Sequence, residues 1–107
     1  MLTVGQVINS KFTTKDGTQE NEWVVLELIN QKNRRPRVRI RVEKVGAHMG
    51  TYLTLGKEYV LVRIRRLTDD DYGVYEVPAK QCKRTSSQVI LYDCPAKEGG
   101  PSMDIDF

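Results

Sequence analysis

The chain has 107 residues, 39% of them hydrophobic and 29% charged, with a net charge of +3. A chain of this length closes one modest core and has no room for a second, because it buries only about two thirds of the surface that its unfolded form exposes. No stretch approaches the roughly 18 apolar residues of a membrane-spanning helix, and Met1-Leu2-Thr3-Val4-Gly5 has none of the features of a secretory signal, so a cytoplasmic location with no membrane partner is expected.

In chain order, the weak strand signal Val4 to Phe12 is closed by the turn Asp16-Gly17. Trp23-Val24-Val25-Leu26-Glu27-Leu28-Ile29 follows; period-two alternation puts Val24, Leu26 and Leu28 on the core face and Trp23 on the opposite one. After Asn33 and Pro36 comes the clearest alternation, Arg37-Val38-Arg39-Ile40-Arg41-Val42, with three arginines on one face and three β-branched residues on the other. Glycines 46, 50 and 56 leave room for one helical turn at most. Tyr59 to Arg65 alternates again, which places Val60, Val62 and Ile64 inward and Tyr59, Arg63 and Arg65 outward. Asp69 to Gly73 is a turn, and Val74 to Val77 and Gln88 to Tyr92 are further short strands. About six short strands at this spacing predict an all-β sandwich or small barrel. Residues 1–96 form the body, and 97–107 a flexible acidic tail expected to be disordered.

Charge is segregated along the chain. Residues 1 to 97 hold all 17 Lys and Arg against 11 acids, whereas residues 98 to 107 carry Glu98, Asp104 and Asp106 and no base. The densest run, Lys32 to Lys44, contains Lys32, Arg34, Arg35, Arg37, Arg39, Arg41 and Lys44 against Glu43 alone. Such runs are usually solvated strand faces. Here Arg63 and Arg65 on a second strand add to the concentration, and a dense basic face is the footprint expected of a protein that neutralises a phosphate backbone. Trp23 and Tyr59 fall on the same polar side and are candidates for stacking on unpaired bases, against the alternative that Trp23 packs under a loop. Tyr52 suits either role; Phe12, Tyr72, Tyr75 and Tyr92 read as packing residues.

Parts for catalysis are missing from the pattern. His48 is the single histidine and has no nucleophile or ligand at a recognisable spacing. Cys82 and Cys94, twelve residues apart without companions, fit neither a zinc site nor a redox pair and read as free thiols. Asp69-Asp70-Asp71 reads as a solvated turn rather than a cation site. No catalytic residue, metal or cofactor is therefore expected.

Two resemblances sharpen the reading. Lys11-Phe12-Thr13-Thr14-Lys15-Asp16-Gly17, Pro36 before an alternating strand, Tyr52, Gly56 and Val77-Pro78-Ala79-Lys80 together resemble the single-stranded DNA-binding proteins of filamentous phages, over residues 1 to about 80. That resemblance implies an OB-type barrel of five to six strands that dimerises and coats single strands, with Tyr52 and the Arg37, Arg39, Arg41 face as binding residues. The ending Asp104-Ile105-Asp106-Phe107 is similar to the tails of bacterial and phage single-stranded DNA-binding proteins, which implies docking to a replication protein. The expected function is thus binding of single-stranded DNA with little sequence preference, through Trp23, Arg34, Arg35, Arg37, Arg39, Arg41, Tyr52, Tyr59, Arg63 and Arg65. An RNA-binding OB or cold-shock-like module and a β-barrel protein-interaction module are the alternatives.

Overall fold

The computed structural model of the chain describes residues 2–15, 17–66 and 73–93, with residues 12, 14, 63–66, 73, 92 and 93 described by backbone alone. The acidic tail, Asp69-Asp70-Asp71, Tyr72 and Cys94 lie outside the described residues. Six strands make one antiparallel sheet: β1 (Val7–Thr14), β2 (Gly17–Ile29), β3 (Arg37–Lys44), β4 (Glu58–Arg66), β5 (Gly73–Val77) and β6 (Val89–Asp93). Their spatial order is the chain order, β1-β2-β3-β4-β5-β6. The sheet curls into a half-barrel. The all-β, barrel-like architecture of six strands matches the expectation, and its connectivity is an up-and-down meander rather than the Greek key that defines an OB barrel. Two single 3-10 turns, Met49–Thr51 and Ala79–Gln81, are the helical elements among the described residues.

The concave face holds the core. Ile8, Trp23, Val25, Val38, Ile40, Val42, Tyr59, Leu61, Tyr75, Val77, Val89 and Leu91 are buried there with Met49, Leu53 and Cys82. Trp23 and Tyr59 are each only 1% exposed, so the expectation that they face solvent is corrected: both belong to the core. The physical cause lies in β-bulges. In β2, Val25 pairs with Ile40 but Glu27 pairs with Arg39, so Leu26 is an extra residue. An unpaired residue inverts the phase of alternation: Trp23 and Val25 face inward before the bulge, whereas Leu28 shares the Val38 side after it. Val24 and Leu26, expected in the core, are half-buried instead, and Leu28, expected there too, is exposed near the strand end. In β4 the register shifts between Arg63 and Arg65. Phase read backward from the arginines therefore assigns Val60 and Val62 to the core, where Tyr59 and Leu61 actually sit.

Two amide side chains fix the connections at one end of the sheet. Gln19 Oε1 accepts from the backbone N–H of His48 at 3.2 Å and Asn21 Oδ1 from that of Gly46 at 2.8 Å, tying the β3–β4 connection to β2. A Cβ on Gly46 would lie 2.6 Å from Gln19 Oε1 and 3.1 Å from Gln19 Cβ, so a larger residue here would displace the amide that holds this connection. Beyond the end of β5, Gln81 imitates a strand residue: its Oε1 accepts from Val60 N–H at 2.8 Å and its Nε2 donates to Val60 C=O at 2.9 Å. Gln81→Ala orphans both backbone groups. It is expected to lower stability by roughly 1 to 3 kcal/mol, measured as a reduced midpoint in urea with unchanged slope.

Candidate nucleic-acid interface

On the convex face, β3 presents Arg37, Arg39 and Arg41, all half-buried, opposite the buried Val38, Ile40 and Val42. Pairing across the sheet sets Arg39 beside Val60 and Arg37 beside Val62, so their methylene stems have valine neighbours while the guanidinium heads reach outward. Those heads are largely engaged. Arg39 donates to Glu27 at 3.1 Å and, through Nη1, to Glu58. The two carboxylates, Glu58 first, hold its guanidinium still more firmly in the charged form. Arg41 pairs with Glu43 at 2.8 Å, and Lys44 with Glu20 at 3.2 Å. Glu20 is kept below the usual carboxylate range by the Asn9 amide and then by Lys44. Among the described residues, the Arg37 side chain meets a neutral partner, Gln31 Oε1, at 3.2 Å.

The β2–β3 loop differs. Residues 30–36 are all exposed, and Lys32, Arg34 and Arg35 have no carboxylate partner among the described residues. The turn is fixed by the hydrogen bond from Arg34 N–H to Gln31 C=O, 3.2 Å long, and by Asn33 at φ 63°, a left-handed conformation that Asn tolerates better than most residues. No acid occurs from residue 28 to residue 42. The available positive charge of this face is therefore in the loop and Arg37, with Arg39 and Arg41 internally compensated. Arg63 and Arg65 are placed on β4 by backbone pairing to Tyr75 and Val74.

Tyr52 is at the other end of the sheet, half-buried and packed against the core, with the Arg84 guanidinium 5.9 Å above its ring and His48 6.3 Å away. The structure thus separates Tyr52 from the β2–β3 loop, and it takes Trp23 and Tyr59 out of any surface site. Trp23 packs edge-on against Tyr75 at 6.0 Å between centroids. Sequence reasoning passed over Lys57, Lys80, Lys83 and Arg84. The signal that finds them is the lack of any acid in residues 45–57 and 77–92, two segments that the meander brings to the same end.

Cys82 is buried beside this end, and its burial pushes the thiol above its ordinary range, with Lys57 opposing. Reaction needs the exposed thiolate. Alkylation of native protein by iodoacetamide at pH 7 is therefore expected to leave Cys82 unmodified under conditions that label it fully in denaturant, as read by peptide mass spectrometry.

Among the described residues no helix is long and apolar enough to cross a membrane. Comparisons with protein families, with characterised proteins and with solved structures find no match to this chain.

Proposed function

We propose that the protein binds single-stranded DNA, mainly through its phosphates and with little sequence preference. The observation that carries this reading is the exposed β2–β3 loop, which presents Lys32, Arg34 and Arg35 without carboxylate partners among the described residues and continues onto Arg37, which bonds the neutral Gln31. A cation already paired with a carboxylate must lose that partner before it gains from a phosphate, whereas an unpaired one releases condensed counterions directly. With Trp23 and Tyr59 in the core, base stacking contributes less than an aromatic surface would give, so affinity is moderate and steeply dependent on salt.

The test is fluorescence anisotropy of labelled (dT)20 titrated with protein across a salt series; the buried Trp23 is a poor reporter. Linear loss of log K with log salt is expected. No binding at low salt would sink the DNA reading, and tighter binding to the equal-length RNA strand would shift it to the RNA alternative. Burial of the two candidate stacking rings is the observation that favours a second reading, a module whose loop docks an acidic protein surface. Absence of oligonucleotide binding together with capture of a polyglutamate peptide would support that one.

A further inference from the structure

We propose that Lys83 and Arg84, which flank Tyr52, and Lys57, which lies over Tyr59, form a second phosphate-binding site at the end of the sheet opposite the β2–β3 loop. In a meander, alternate connections lie at opposite ends. The β2–β3 loop is at one end; the β3–β4 and β5–β6 connections, which carry these three cations, share the other. Eight-residue β3 separates the two ends by roughly 25 Å.

Neutral groups hold these cations in place. Lys83 Nζ donates to Gly50 C=O at 2.9 Å, and its own N–H donates to Tyr52 C=O at 2.8 Å. Arg84 lies over the Tyr52 ring at 5.9 Å, and Lys57 over the Tyr59 ring at 5.3 Å. Tyr59 is itself anchored, its hydroxyl accepting from Thr54 N–H at 2.7 Å. Each cation is thus positioned by a carbonyl or a π face, and among the described residues none pairs with a carboxylate, the reverse of Arg39 and Arg41. Neutral partners orient a cation without cancelling its charge. A guanidinium above a ring also keeps its N–H edge free for the bidentate grip that suits phosphate. Lys80, exposed on the neighbouring 3-10 turn, adds to the same field, and neither connecting segment contains an acid to offset it.

The ligand rests on the DNA reading: a further stretch of the same phosphodiester strand, so that a strand long enough to reach both ends gains contacts that a short one lacks. The experiment is a set of backbone amide NMR titrations of the full chain with (dT)12 and with inorganic tripolyphosphate. The expected result is that (dT)12 shifts the amides of residues 31–35 and 37 and also those of Gly50, Tyr52, Lys83 and Arg84, and that tripolyphosphate shifts the second group. Shifts confined to the first group with both probes would overturn this proposal and leave the DNA reading standing. Tripolyphosphate shifts in the second group without any response to (dT)12 would support an anion site and defeat the DNA reading. As a second measurement, the triple variant Lys57→Gln, Lys83→Gln, Arg84→Gln is expected to bind (dT)20 about tenfold more weakly at low salt. Unchanged affinity in a variant whose thermal midpoint is preserved would overturn the proposal.

Discussion

Trp23→Ala is expected to cost roughly 3 to 5 kcal/mol, the range for emptying a large aromatic site in a packed core. The residue is 1% exposed, pairs with Val42 of β3, and meets Tyr75 edge-on. Against a total stability of about 5 to 15 kcal/mol for a domain of this kind, that loss unfolds a large share of the molecules or leaves the rest marginal. Tyr59→Ala belongs to the same class, since it also removes the hydroxyl that accepts from Thr54 N–H. Urea denaturation followed by far-UV circular dichroism measures both. A variant that stays fully folded with near-native stability while losing only DNA affinity would show that the indole lies on the surface and that the β2 register is wrong. Trp23→Phe keeps most of the volume and is expected to fold, which separates loss of packing from loss of the protein.

The contrast between what alternation revealed and what it hid follows from individual residues. β3 has no extra residue from Arg37 to Val42, its one irregularity being Glu43 beyond them, so three arginines on one face and Val38, Ile40 and Val42 on the other could be read directly from period two. In β2 and β4 the same rule failed because each strand carries a register shift, and one residue out of phase exchanges the faces on either side of it. Nothing in Val24-Val25-Leu26 marks which residue is extra, as all three are apolar and suited to a strand. Charge compensation was equally hidden: Glu27 and Glu58 are 12 and 19 positions from Arg39 and meet it only once the three strands are paired. The second cationic cluster joins two segments whose shared location depends on the strand order, which composition does not carry.

The largest effect on binding is expected from Lys32→Ala, Arg34→Ala, Arg35→Ala. Single-strand binding loses about 0.7 in salt slope for each phosphate contact removed, so the triple variant should lose about 2, with weaker affinity at low salt and little difference at high salt. The loop is exposed throughout and the three side chains make no described ion pair, so the fold should be unaffected. Arg39 is predicted to behave differently, because its charge is divided between Glu27 and Glu58. The informative change there is on the carboxylates: Glu27→Gln with Glu58→Gln releases the guanidinium and removes two repelling charges from the strand face. This double variant should bind (dT)20 more tightly than the parent and with a steeper salt slope, at little cost in stability, since exposed ion pairs are screened by solvent. If releasing Arg39 leaves affinity and slope unchanged while the loop variant abolishes both, the DNA path follows the β2–β3 loop and bypasses the convex face of β3. If neither variant changes the salt slope, phosphate does not meet this side of the sheet at all.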